Sequence, residues 1–329
     1  MNTPTARPQG AETTSTAARI IPVGPPAASA QAARRRPVPW TRLAWVTWRQ
    51  HRFMLAGVAT LLGAMGLYLL YMGLKIHHAY ASMLSCSPGR SAHCQQLAEA
   101  FQQYWGGGGG SVVQAGGAQE ISVLLLVFPV LIGVFAGAPV LARELETGTF
   151  RFAWTQGSGR LRWTIAKLVL LAAALTAAAF AFSELFSWYY QPFLATGRTY
   201  EFLPIVFNLS GVDFAAWTLI AFAISAFAGT VIRRTVPAMA ASLAAWAVLL
   251  VTTMLVLRPH YEAPLIIKHG FPSLNAWILT ARLPGGQGVF SYQPQSRFWT
   301  FQFIEGGWLL VLALLLGAAT IWLVRRRAA

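Results

Sequence analysis

The chain has 329 residues, of which 56% are hydrophobic and only 11% are charged, with a formal net charge of +15. Soluble domains carry roughly 25% charged residues, so this chain has too little polar surface to face water on all sides. The composition therefore excludes an ordinary soluble enzyme or binding domain. Two cysteines are also too few for a disulfide-stapled scaffold.

The N-terminal segment, residues 1–39, is rich in Ala, Pro, Ser and Thr and contains the run Arg34-Arg35-Arg36. It has no continuous apolar core of the kind found in a secretory signal peptide. Its composition predicts a disordered tail. A targeting or partner-binding role for the tail is the alternative.

Segment 40–52 predicts an amphipathic interfacial helix. On a helical wheel, its apolar face holds Trp40, Leu43, Ala44 and Trp48. The opposite face holds the cations Arg42, Arg49 and Arg52. A helix with this pattern lies in the membrane surface. The alternative is a membrane-proximal stretch that is anchored by its tryptophans.

Six apolar segments follow, each about 20 residues long, as a membrane-spanning helix requires. They are residues 53–74, 121–142, 168–190, 214–232, 237–257 and 306–324. None contains Lys or Arg, and the one acid among them is Glu184. The sequence predicts an all-α, six-span transmembrane domain over residues 53–327, with two long extracellular loops.

The cations predict the orientation of these spans. With the N-terminus placed inside, the inner connections and termini hold 18 of the 25 Lys and Arg residues, and the outer connections hold 7. This asymmetry is the positive-inside pattern of a multi-pass protein of the cell membrane. It predicts cytoplasmic N- and C-termini and removes the main support for a nucleic-acid partner.

The first long outer loop, residues 75–120, contains both cysteines. In an oxidising extracellular space, Cys86 and Cys94 are expected to form a disulfide. A metal site built from His77, His78, His93 and the cysteines is the alternative, but the spacing fits no standard zinc pattern. We predict no metal and no cofactor.

The second long outer loop, residues 258–305, contains an apolar stretch over 271–279 that is too short to span a membrane. An interfacial or re-entrant helix and a packed outer loop are both open for this stretch. At the starts of spans on the outer side, Glu120, Asp213 and Glu305 are each expected to meet the positive end of a helix dipole.

The inner connection between the second and third spans, residues 143–167, predicts a short cytosolic helix. Thr147 or Thr149 can cap it, and Gly157-Ser158-Gly159 ends it. Phe150, Ala153 and Trp154 share one apolar face at spacings i, i+3 and i+4. Exposed Phe and Trp on a short helix suit docking to a soluble partner, whereas packing on the protein's own spans is the alternative.

This connection resembles that of the type-2 ABC exporter permease family, whose loop typically reads Glu-x-x-x-Gly-Thr before a basic turn into the third span. Glu144, Gly148 and Thr149 match that pattern. The resemblance extends over residues 40–327, including the six spans and the interfacial helix. The Arg-flanked, Ala-rich style resembles actinobacterial members of the family.

The resemblance implies a transport subunit that is not itself an enzyme. In that family, a coupling helix, here residues 150–156, docks on a separate ABC ATPase, and Glu144 shapes its base. The family works as a homodimer or heterodimer of related permeases in the lipid bilayer. It exports amphipathic or lipid-like substrates, among others. The absence of a Gly-x-x-x-x-Gly-Lys-Ser/Thr motif agrees with ATP hydrolysis in a partner chain.

Glu184 is the candidate pathway residue. It lies 16 residues after Leu168, which corresponds to about 24 Å of helix and places it near the outer interface. A carboxylate that reaches headgroups or an outer vestibule and a proton relay are the two interpretations. A membrane-embedded enzyme, or a signalling or structural subunit without transport activity, is the alternative function.

Overall fold

A computed structural model describes residues 39–86, 92–106, 117–147, 160–197, 199–268, 270–273, 275–282 and 289–327. Within these ranges, six helical stretches are long and apolar enough to cross a membrane. They are Trp40–Leu84, Ala118–Thr147, Leu161–Ala195, Asp213–Ile232, Thr235–His260 and Gln295–Arg326. The prediction of a mostly helical fold with six spans is confirmed. The predicted tail lies outside the described residues, apart from Pro39.

Helix α1 runs without interruption over Trp40–Leu84, a length of 45 residues. At 1.5 Å per residue it extends for about 67 Å, more than twice the thickness of a hydrocarbon core of about 30 Å. The predicted boundary between residues 52 and 53 is absent from this helix. A separate interfacial helix is therefore not confirmed, because segment 40–52 continues directly into the first span.

The second span is divided into two helices, α3 (Ala118–Leu125) and α4 (Phe128–Thr147). They follow a short helix α2, Ala92–Gln103. Pro129 lies in the first turn of α4, where a missing N–H costs little. The predicted span 121–142 lies within the single apolar stretch Ala118–Thr147, which has a turn at residues 126–127.

The third and fourth spans are helices α5 (Arg160–Ala195) and α7 (Asp213–Ile232), with the short helix α6 (Pro204–Phe207) between them. Arg233 ends α7 in a left-handed conformation, with φ of 58°. This residue and Arg234 form the tight turn into α8, Thr235–Thr252. A π-helical turn, Thr253–Leu257, and a 3-10 turn, Arg258–His260, extend α8.

The segment between α8 and the last span contains a three-stranded antiparallel sheet. Its strands are β1 (Leu265–Ile267), β2 (Trp277–Arg282) and β3 (Val289–Gln293), in the order β1-β3-β2. Strand β2 includes part of the apolar stretch for which a helix was one interpretation, so the helical interpretation is wrong. Aromatic and β-branched residues in β2 and β3 favour pairing of these strands.

Helix α9 (Phe298–Arg327) completes the bundle after a 3-10 turn, Gln295–Arg297. Helices α4 and α7 form its centre and are the most buried of the spans, whereas few residues of α1, α8 and α9 are buried. Close contact between α4 and α7 depends on glycines. A Cβ on Gly137 would lie 2.6 Å from the Phe222 carbonyl oxygen, and one on Gly229 would lie 2.8 Å from the Ala138 carbonyl oxygen.

Candidate functional site

The base of the predicted coupling connection is held by an ion pair between two helices. Glu144 lies in the last turns of α4, and its Oε1 accepts a hydrogen bond from Lys167 Nζ in α5. Lys167 is 1% exposed and Glu144 is 23% exposed. The pair joins the helix that enters the connection to the helix that leaves it.

A second carboxylate on α4 reaches a third helix. Glu146 Oε2 accepts hydrogen bonds from the Thr235 backbone N–H, at 3.2 Å, and from Thr235 Oγ1, at 3.0 Å. Because the first N–H groups of a helix have no partner within that helix, Glu146 caps α8 from outside it. Two residues near the end of α4 thus connect the base of the connection to both α5 and α8.

The remaining predicted coupling residues, Gly148, Thr149, Phe150, Ala153 and Trp154, lie outside the described residues. Glu144 is the member of that set whose position the structure gives. Sequence reasoning missed Glu146, although it lies on the same helix two residues later. A capping partner 89 residues away along the chain leaves no signal in the local pattern.

The predicted interfacial face of segment 40–52 has two different environments. Leu43 is buried and packs with Trp163 and Ala166 of α5. Trp40 and Trp48 are more than half exposed. The apolar stripe is therefore partly an intramolecular contact rather than a single membrane-facing surface.

The cations of this segment lie against aromatic rings. The Arg49 guanidinium lies 5.4 Å from the centre of the Trp45 ring, and that of Arg162 in α5 lies 5.1 Å from the Trp40 ring. These contacts place basic and aromatic groups together where α1 meets the start of α5. Such groups are enriched where a membrane protein meets the headgroup layer.

The opposite end of the bundle holds a buried charge cluster, which consists of Arg258, Glu305 and Asp213. Arg258 Nε lies 2.9 Å from Glu305 Oε2, and its Nη2 lies 2.5 Å from Glu305 Oε1. Asp213 Oδ2 lies 3.5 Å from the same Nη2. All three side chains are at most 2% exposed, so two carboxylates and one guanidinium are removed from water together.

Polar side chains surround this buried charge cluster. Glu305 accepts hydrogen bonds from Trp217 Nε1 and from the Tyr261 hydroxyl, both at 3.1 Å, and Arg258 donates to Asn208 Oδ1 at 2.6 Å. Burial and the neighbouring Glu305 carboxylate raise the pKa of Tyr261, which keeps its hydroxyl protonated as a donor. Trp308 donates to the Tyr261 oxygen at 3.0 Å.

The cluster corrects one sequence-based expectation. Glu305 does not meet a helix N-terminus, because α9 begins seven residues earlier, at Phe298. Arg258, the first residue of the second long loop, is a buried partner of the two acids. Each of the three charges stands at the edge of an apolar segment, and their meeting depends on how α7, α8 and α9 pack.

A family model described as ABC-2 membrane transporter related matches residues 59–258. The match covers more than half of the 329 residues. The chain belongs to this family. No curated protein and no solved structure matches the chain.

Membership of the ABC-2 family makes the chain a membrane-embedded permease of the ABC type, that is, a transport subunit rather than an enzyme. The matched region contains both carboxylates of α4, their partners Lys167 and Thr235, and two members of the buried charge cluster. Membership of this family implies a partnership with an ABC ATPase.

Glu184 is exposed on α5 of this ABC-2 permease. Phe180 and Ala177, about one and two turns earlier, line a groove of about 640 Å³ that α7 and α9 complete. Residues four apart on a helix share a face. Glu184 therefore lies on the side of α5 that faces this groove, near the end that also holds the buried charge cluster.

A disulfide connects the residue pair Cys86, just after α1, and Cys94, in the first turn of α2. Their Cα atoms lie 5.8 Å apart. Among the described residues, no three His, Cys, Asp or Glu side chains are grouped so that they could hold a metal ion. The two cysteines are eight positions apart in the sequence, so the bond closes a short loop.

Proposed function

We propose that this chain is the membrane subunit of an ATP-driven exporter and that a separate ABC ATPase docks on the connection over residues 148–159. The observation that carries the proposal is the pair of carboxylates at its base. Through their hydrogen bonds, Glu144 links the base of this segment to α5, and Glu146 links it to α8. A push on the connection would therefore act on three spans at once.

The proposed sidedness places both termini and the 148–159 connection in the cytoplasm and the small sheet outside. The distribution of Lys and Arg supports it. A disulfide between Cys86 and Cys94 also suits the extracellular side, since such bonds persist in oxidising compartments.

The permease is proposed to act as a homodimer or as a heterodimer with a related permease. Its peripheral helices support this, because α1, α8 and α9 present exposed Leu, Val and Phe side chains that lipid or a second copy must cover. ATP binding in the ATPase would favour one of two arrangements of the spans, as any ligand with different affinities for two states does.

The cargo is proposed to be amphipathic or lipid-like. An apolar groove between α5, α7 and α9, with Glu184 on the same side of α5, supports a route for such a molecule. A Glu184→Gln variant is expected to lower the export of a cationic amphipathic dye but to leave ATPase binding unchanged. Equal export by the variant and the parent chain would contradict a role for Glu184 in the transport pathway.

The coupling assignment is tested by a Phe150→Ala/Trp154→Ala double variant, co-expressed with the candidate ATPase. Loss of two docking aromatics is expected to weaken the complex roughly tenfold or more and to abolish export, while membrane insertion is retained. The measurements are co-purification of the ATPase and dye export from vesicles.

The matched control is Phe271→Ala, which removes an exposed aromatic side chain near the small sheet. It should retain both ATPase binding and export. An unchanged complex in the double variant would contradict the assignment of residues 150–156 as the coupling helix. A chain that binds no ATPase would favour a subunit without transport activity.

A further inference from the structure

Two grooves flank α1 in the part of the chain that the structure describes, and they differ in charge. The first, between α1 and α5, has a volume of about 550 Å³ and is lined by Trp48, Arg52, Ala56, Ala59, Ala174 and Ala178, among others. The second, between α1 and α4, has about 400 Å³ and is lined by apolar residues and Gly57. Both open toward the surroundings of the bundle.

The first groove combines a long apolar floor with a cation at one end. Its α1 residues from Trp48 to Ala59 follow one helical stripe, which rises by about 16 Å. Small alanines on both helices keep the floor open. Arg52 and Trp48 lie at the end where the apolar stretch 53–74 begins, which is the level of the lipid headgroups.

The Arg52 guanidinium is available to an external anion. It is exposed and lies 4.8 Å from the centre of the Phe53 ring, and no described carboxylate forms an ion pair with it. Guanidinium groups bind phosphate through paired hydrogen bonds and are weakly hydrated.

The charges at this end of the bundle disfavour a second copy of the chain as the occupant. The described acids at the same end are Glu144 and Glu146, and both already accept hydrogen bonds from Lys167 and Thr235. The other described acids lie toward the opposite end. Among the residues that the structure describes, a second copy therefore offers no free carboxylate for Arg52, whereas an acidic phospholipid supplies both a phosphate and an acyl chain.

We propose that the groove between α1 and α5 is a binding site for one acidic phospholipid, with the phosphate on Arg52 and an acyl chain along Ala56, Ala59, Ala174 and Ala178. The proposal does not depend on an ATPase partner or on the sidedness of the chain. Its success or failure is therefore separate from that of the exporter assignment.

The test is native mass spectrometry of the full chain in detergent, with phosphatidylglycerol and phosphatidylcholine of identical acyl chains. The parent chain should retain phosphatidylglycerol preferentially. Arg52→Gln should lower that retention roughly fivefold, the effect expected for one cation at a membrane surface, and Arg52→Lys should restore most of it. Arg49→Gln is the matched control, since Arg49 lies against Trp45 outside the groove.

A second pair of variants tests the acyl chain. Ala178→Leu fills the floor of the first groove and should lower phosphatidylglycerol retention, whereas Gly57→Leu fills the second groove and should not. Both positions are open, so neither change requires the bundle to repack. Equal losses in Arg52→Gln and Arg49→Gln, no effect of Ala178→Leu, or full displacement by inorganic phosphate would each overturn the site.

Discussion

At the scale of single residues, burial separates charges that look equivalent in the sequence. Arg258 lies in the 3-10 turn that extends α8 and Arg297 in the 3-10 turn before α9, and each pairs with a glutamate. Arg258 and Glu305 are at most 2% exposed, whereas Arg297 and Glu262 are 25% and 29% exposed, with Nε and Oε2 at 2.7 Å. A buried charge without its partner costs far more than an exposed one.

The first prediction compares these two arginines. Arg258→Met leaves two buried carboxylates facing each other and is expected to destabilise the fold by ~3–5 kcal/mol. Arg297→Met removes a partly exposed pair and should cost only about 0–1 kcal/mol for the ion pair. Unfolding titrations in mixed micelles measure both changes, and equal losses would contradict a structural role for the buried charge cluster.

The ion pair at the base of the coupling connection makes a related case. Lys167 is almost completely buried, and Glu144 is its partner. Glu144→Gln removes the charge partner but keeps the shape of the side chain, so we expect a loss of ~1.5–3 kcal/mol, the range for hydrogen bonds to charged groups. The same titration measures it.

Replacing both partners, in Glu144→Gln/Lys167→Met, should recover part of that stability because no buried charge is left alone. If the double variant lost more unfolding free energy than the two single variants together, the pair would have a role beyond neutralising the charge of Lys167.

At the scale of helices, the central contact depends on glycines of α4 and α7 that each lie against the backbone of the other helix. A Cβ on Gly137 would also lie 2.8 Å from Ser225 Cβ, in addition to its close approach to the Phe222 carbonyl. Gly133 and Gly137 are four residues apart on α4, and such small-residue patterns let membrane helices approach closely. The structure identifies α7 as the partner helix.

The helix-scale prediction is that Gly137→Ala destabilises the bundle by ~1–3 kcal/mol, the usual cost of overpacking. Gly57→Ala is the matched control, because a Cβ there meets nothing within 4 Å. It should be neutral or stabilising by about 0.5–1 kcal/mol, since alanine favours helix more than glycine does. Similar behaviour of the two variants would contradict the close α4–α7 contact.

At the scale of the whole molecule, orientation decides which end of the bundle an ATPase can reach. The base of the coupling connection and the small sheet lie at opposite ends, since α4 ends beside the connection and α8 leads away to the sheet. The Lys and Arg asymmetry predicts which end is cytoplasmic.

Single cysteines at Ser158 and Lys268 test the orientation with a membrane-impermeant maleimide. Lys268→Cys should react in intact cells and Ser158→Cys only after permeabilisation, because the reagent cannot cross the bilayer. Cys86 and Cys94 are bonded to each other, so the parent chain controls for background labelling. Labelling of Ser158→Cys in intact cells would overturn both the sidedness and the proposed docking of an ATPase.

The sequence by itself determined the class, the six spans and the likeness of the connection after the second span to an ABC permease. Apolar runs and glycine or cation positions are local properties, so they can be read along one chain. The length of α1 was underestimated because residues 75–84, which continue the helix, are polar enough to resemble the start of a loop. The small sheet was missed because its strands are short.

Only the tertiary structure decided which distant residues meet. Arg258 and Glu305 are 47 positions apart, Trp217 and Glu305 are 88 apart, and Glu146 and Thr235 are 89 apart. Each residue alone has an ordinary local interpretation as a flanking charge, a core aromatic or a helix end. Their pairing follows from the packing of the helices, because a buried charge or an uncapped helix end must find whatever partner the neighbouring helices bring within reach.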